Sequence, residues 1–123
     1  KVSLLHVVAD ESYYNIIDSA PLMALYGYNF FNIMNGTGLI DSSLNFLEKI
    51  KSNLNDSNIE VQAVQGDSAK VILEIAEDQN FDLIIVGSHN QNWLEKAVMG
   101  SVTESIVAKS KIPIFIIPIN DHQ

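Results

Sequence analysis

The sequence predicts an α/β fold in which a parallel β-sheet is covered by helices on both faces. Residues 83–86 are apolar without interruption and are followed by Gly87, a pattern typical of a strand that is buried on both sides. Residues 112–119 repeat the apolar pattern, with Pro113 near the start and Pro118 near the end. Strand-like and helix-like segments alternate along the chain, as they do in right-handed β-α-β crossovers.

The remaining elements follow from local patterns. Residues 2–8 are apolar and predict the first strand. A helix is predicted from apolar residues at three- and four-residue spacing, which are Ile40, Leu44, Leu47, Ile50 and Leu54. Turn-forming residues 53–58 end this helix. Apolar and polar residues alternate over residues 59–65, which predicts a strand with one face more exposed than the other. Asp67 is the predicted N-cap of the next helix, whose predicted buried side comprises Val71, Ile72, Ile75 and Ala76.

Residues 10–38 show no clear periodicity and form the most aromatic part of the chain. Three interpretations are open for this segment. It could be a lid over a ligand, a surface for a partner, or a long connection with its own small apolar cluster.

The loop that follows residue 86 provides the candidate site. Gly87 comes directly after a buried strand, so its backbone can turn at positive φ and approach a ligand without an intervening Cβ. Gly100 and Ser101 open the next helix, whose first N–H groups lack helical acceptors and carry the positive end of the helix dipole. This combination predicts an anion cradle with phosphate as the ligand. The alternative is structural, because Ser101 followed by Glu104 also matches a capping box.

The same loop resembles the nucleotide loop of the universal stress protein family, usually written G-x-x-G-x9-G-S/T. The residues that carry the resemblance are Gly87, Ser88, His89, Asn90, Gly100, Ser101 and Val102. The resemblance extends to residues 4–8, to residues 66–87 and to the last predicted strand. It covers most of the chain outside residues 12–38.

The resemblance implies a three-layer α/β/α, Rossmann-like fold of the adenine nucleotide alpha hydrolase-like kind. It also implies that the backbone of Val7 faces adenine, and that the loop residues given above bind the rest of ATP, or of AMP or ADP. Magnesium is then held mainly by phosphates and water, with no catalytic or metal-ligating residue. Asn90 stands where the family has its second glycine. Because asparagine tolerates the left-handed region, we expect the loop shape to survive this change.

The resemblance to the family also leads to one expectation for each end of the sequence. A strand and a helix precede residues 2–8 in the family, and this sequence has no residues to build them. We therefore expect residues 1–123 to be a single, N-terminally incomplete domain, and the sequence to be a fragment; the alternative is a partner chain that completes the sheet. The last strand, from Ile112 to Ile119, is predicted at the sheet edge because of its prolines. The resemblance implies that this edge pairs with its copy in a homodimer.

Composition excludes several classes of protein. A net charge of −8 over 123 residues argues against a nucleic-acid surface and against a polybasic membrane anchor. The absence of cysteine excludes a disulfide framework, thiolate chemistry and cysteine-ligated metals. No apolar run approaches about 18 residues, so no spanning helix is predicted and a cytoplasmic location is expected.

Two classes of function are open. The first is an ATP-binding regulatory protein of the stress response that acts as a nucleotide-dependent dimer. The second is a nucleotide-free protein–protein interaction module. An enzyme is the weaker interpretation, because the sequence shows no Ser/His/Asp spacing and no metal-ligand set. At most, slow ATP hydrolysis or self-modification is expected.

Overall fold

The computed structural model describes residues 1–9, 37–88 and 100–118. Strands and helices alternate within these ranges, as the sequence predicts. In chain order they are β1 Ser3–Val8, α1 Thr37–Leu54, β2 Glu60–Gln65, α2 Ser68–Asp78, β3 Ile84–Ser88, α3 Ser101–Lys109 and β4 Ile114–Pro118.

Some predictions lie outside the described residues. They are those for the aromatic segment within residues 10–36, for His89 and Asn90 in residues 89–99, and for the end of the last strand at Ile119.

The first compact unit, Lys1–Asp67, is built on the parallel pairing of β1 with β2. The register runs from Ser3 opposite Glu60 to Val8 opposite Gln65. Helix α1 contacts both strands. The buried apolar residues described in this unit are Val8, Leu47 and Ile59. This unit therefore contains a β-α-β arrangement with its own small core.

The apolar stripe predicted for α1 is confirmed in its middle and wrong at its end. Leu47 is buried, whereas Leu54 is 56% exposed. Helix α1 has 18 residues and so extends about 27 Å. Strands β1 and β2 have six residues each and extend about 20 Å. The helix is therefore longer than the strands, and part of it must extend past their ends. Because Leu54 is exposed, we infer that the last turn of the helix is the part that extends past them.

Helices α1 and α2 both end on an asparagine in the left-handed conformation, with φ of 53° at Asn55 and 56° at Asn80. Asparagine tolerates this region better than most residues. After α2, the N–H of Asn80 donates to the carbonyl of Glu77 at 3.1 Å, and the N–H of Phe81 donates to that of Ala76 at 2.9 Å. These two bonds form a Schellman motif, which satisfies the last carbonyls of the helix.

The turn from β2 towards α2 depends on Gly66. Its φ is 152°, in a region that side chains rarely adopt. Its N–H donates to the carbonyl of Val8 at 2.9 Å, which extends the β1–β2 ladder. Asp67 follows, and α2 begins at Ser68. The predicted helix start after Asp67 is confirmed.

The second compact unit, Ser68–Gln123, is built on the parallel pairing of β3 with β4. The register runs from Ile84 opposite Ile114 to Ser88 opposite Pro118. Helices α2 and α3 contact each other. The core of this unit is formed by Ala76, Ile84 and Ile106, and the residues partly buried against it are Ala69, Ile72, Leu73, Phe81, Val86, Ile112 and Ile114.

The two faces of the β3–β4 pair differ. Ile84 belongs to the core and Val86 packs against it. Ile85, which points to the opposite face, is 62% exposed, and its register partner Phe115 is 59% exposed. The apolar run of β3 predicted burial on both faces. Within the described residues only one face is buried, because α2 and α3 contribute their core side chains, including Ile106, to the side of Ile84.

Replacing Ile106 by alanine is expected to lower the free energy of unfolding by about 2–5 kcal/mol, because the truncated side chain leaves a cavity in the core. Urea denaturation measures this change. Val107→Ala is the matched control, since Val107 is the next residue of α3 and is 43% exposed. Its expected effect is about 0.5 kcal/mol or less. Equal losses for the two variants would contradict the assignment of Ile106 to the core.

Candidate functional site

The connection from β3 through α3 to β4 brings the predicted loop residues to one edge of the sheet. Helix α3 ends at Lys109 and β4 begins at Ile114, so the end of the helix lies near the amino end of β4. Helix α3 extends about 14 Å and β3 about 17 Å, so the helix spans most of the strand. Since β3 and β4 are parallel, α3 must begin near their carboxyl ends, where Gly87 and Ser88 complete β3. Gly87 was predicted to follow the strand and to permit a turn at positive φ; it lies within β3 instead, and its φ is not positive.

A compact turn fixes the far end of α3. The N–H of Ser110 donates to the carbonyl of Ile106 at 2.9 Å. The hydroxyl of Ser110 donates to the carbonyl of Ile112 at 2.7 Å and accepts from the N–H of Ile112 at 3.0 Å. These bonds set the direction in which the chain leaves the helix, and with it the direction of the helix itself.

Helix α3 begins on Gly100, and this corrects one of the sequence predictions. Gly100 is the N-cap, with φ −62° and ψ 156°, and its carbonyl accepts from the N–H of Glu104 at 2.9 Å. Ser101 is already helical, so the capping box with Ser101 as the N-cap is wrong. Glycine is accepted at the N-cap but supplies no side-chain acceptor. Among the described residues, no acceptor faces the N–H groups of Ser101 and Val102, and both residues are exposed.

The described residues leave the space beside Gly100 unoccupied. A Cβ built on Gly100 would have no described atom within 4 Å, and the φ of Gly100 suits any residue. The described protein therefore supplies no steric reason for glycine at this position. Helix N–H groups without described acceptors, next to a residue that has no side chain, suit a phosphate group.

Ser88 shows a second unusual feature of this edge. The residue is only 2% exposed, and its hydroxyl has no hydrogen-bond partner among the described residues. Buried hydroxyl groups nearly always have a partner, so an exception requires an explanation. The sequence could indicate Ser88 as a loop residue, but not its burial at the end of β3.

The charge at the start of α3 comes from Glu104, an exposed residue in the first helical turn. A carboxylate at this position interacts favourably with the helix dipole. The same carboxylate repels an anion that approaches the N–H groups of Ser101 and Val102. The site therefore favours an anion through its backbone rather than through a positive side chain among the described residues.

The predicted site residues divide between the two units. Gly87, Ser88, Gly100, Ser101 and Val102 lie in the second unit, at the carboxyl edge of β3 and the start of α3. Val7 is the remaining described site residue. It lies in the first unit, next to the last residue of β1.

Two features are absent from the described residues. No group of three or more His, Cys, Asp or Glu side chains there could hold a metal ion. None of the helices described there has both the length and the apolar character needed to cross a membrane.

Comparison with known proteins identifies the relatives of this chain. The model of the Universal stress protein family matches residues 1–118. The chain is 32% identical to Universal stress protein MJ0577 of Methanocaldococcus jannaschii, over 95% of this chain and 76% of that protein. It is 41% identical to the stress response protein NhaX of Bacillus subtilis, over 47% of this chain and 35% of that protein.

Solved structures agree with these relationships. The structure of MJ0577 matches with a TM-score of 0.68 and 30% identity, over 99% of this chain and 78% of that chain. A universal stress protein in complex with cAMP matches with a TM-score of 0.52 and 18% identity, over 94% of this chain and 73% of that chain. These likenesses, together with the alternating elements and parallel strand pairs, confirm the predicted three-layer α/β/α, Rossmann-like fold class.

Replacing Glu104 by glutamine is expected to strengthen anion binding about two- to fivefold at low ionic strength, because a like charge is removed from the helix start. Helix stability should fall by about 0.3–1 kcal/mol, since the interaction with the dipole is lost. Titration with tripolyphosphate at low and high salt measures the first effect, and urea denaturation the second.

Glu74→Gln is the control for the Glu104 variant. Glu74 is an exposed acid on α2 that lies 3.8 Å from the amine of Lys70, and its replacement is expected to leave anion affinity unchanged. The same gain in affinity for both variants would indicate a general effect of net charge and not an anion at the start of α3.

Proposed function

Because the chain belongs to the universal stress protein family, we propose that it binds ATP at the start of α3 and acts as a nucleotide-dependent regulatory dimer. The single observation that carries this proposal is the N-terminus of α3, which begins on a glycine and leaves the N–H groups of Ser101 and Val102 exposed without acceptors among the described residues. Such groups bind phosphate oxygens well, because the helix dipole adds to the hydrogen bonds.

The triphosphate is assigned to these N–H groups. Gly87 and Gly100 leave room for its approach, and the open space beside Gly100 supports this role. The other residues assigned to nucleotide binding by resemblance are Val7, whose backbone would face adenine, and Ser88, His89 and Asn90. Magnesium would be held mainly by the phosphates and water. The resemblance supports ATP, with ADP and AMP as the other adenine nucleotides to compare.

A bound nucleotide could bias a dimer or a partner contact by mass action. A ligand that binds one state alone, at 100 times its Kd, stabilises that state by about 2.7 kcal/mol. This is enough to shift a two-state equilibrium by about a hundredfold. The proposed role is therefore that of a switch, in a single cytoplasmic domain that comprises residues 1–123. Catalysis is not part of the proposal.

A specific observation supports the alternative function, a nucleotide-free interaction module. Ile85 and Phe115 lie side by side on one face of the β3–β4 pair and are more than half exposed. Exposed apolar neighbours of this kind are common at protein interfaces. Asn90 in place of the second glycine of the motif also favours this alternative.

Gly100→Val tests the nucleotide assignment. Equilibrium dialysis is expected to show at least a tenfold loss of ATP affinity, because a side chain is added at the residue that precedes the helix N–H groups. The fold should persist, since a Cβ at this position meets no described atom and the loss of a glycine cap costs about 1 kcal/mol.

Ala108→Val is the matched control, because it adds a similar volume to an exposed position at the other end of α3. It should bind ATP like the unchanged chain. The nucleotide-free alternative is favoured if the unchanged chain does not retain ATP in dialysis, and the assignment to α3 is wrong if Gly100→Val retains it.

The proposed dimer uses the outer edge of β4. Among the described strands β4 pairs only with β3, so its other edge is available for a second chain. Phe115→Lys is expected to favour the monomer, since like charges on paired strands repel each other. Sedimentation velocity measures the change. The control is Val107→Lys, an equally drastic change at an exposed position of α3. A dimer that survives Phe115→Lys and dissociates with Val107→Lys would contradict the use of this edge.

A further inference from the structure

We draw no further inference here: the strongest candidate, the exposed apolar face of the β3–β4 pair on which Ile85 and Phe115 lie side by side, carries none because nothing in the described part of the chain shows what covers it.

Discussion

The packing of Ile106 against Ile84 and Ala76 is the interaction on which the candidate site depends. Ile106 is fully buried, and it fixes the position of α3 relative to β3 and α2. Of the residues of α3, the core cluster contains Ile106, in the middle of the helix. The N–H groups at the start of α3, which have no acceptor among the described residues, keep their place because the middle of the helix is held. A backbone site of this kind needs no charged side chain, which suits a chain with a net charge of −8.

The two helices of the second unit begin in different ways, and the difference has a physical meaning. Helix α2 is preceded by Asp67, whose carboxylate suits the positive end of a helix dipole. Helix α3 is preceded by Gly100, which has no side chain. Helices α2 and α3 each follow a strand that belongs to a parallel pair, but the residues at their starts differ in their suitability for binding an anion. The acidic residue of α2 precedes the helix, whereas α3 is preceded by a glycine and carries its acidic residue, Glu104, within the first turn.

Much of the fold could be predicted from the sequence, because its signals are local. The apolar runs located β3 and β4 to within two residues at each described end, and the stripe around Leu47 located α1. The prediction failed where a signal was ambiguous or depended on packing. Ser101 and Glu104 match a capping box in which Ser101 is the N-cap, but Gly100 is also an acceptable N-cap. The sequence alone does not decide which of the two residues is the N-cap, and in the structure it is Gly100.

The features that the sequence could not supply arise from contacts between elements. The exposure of Leu54 depends on the length of α1 relative to the strands that it covers. The isolation of the Ser88 hydroxyl depends on which groups the folded chain places around the end of β3. The loop motif indicated which residues form the candidate site. It could not indicate that one of them would be buried without a hydrogen-bond partner.

The strand registers also bear on how the chain folds. Ile84 pairs with Ile114, 30 positions further along, whereas Ser3 pairs with Glu60, 57 positions further along. Closing a loop of nearly twice the length costs about 0.6 kcal/mol more in chain entropy. Strands β3 and β4 therefore meet with the smaller entropic barrier, and their unit is the better nucleus for folding.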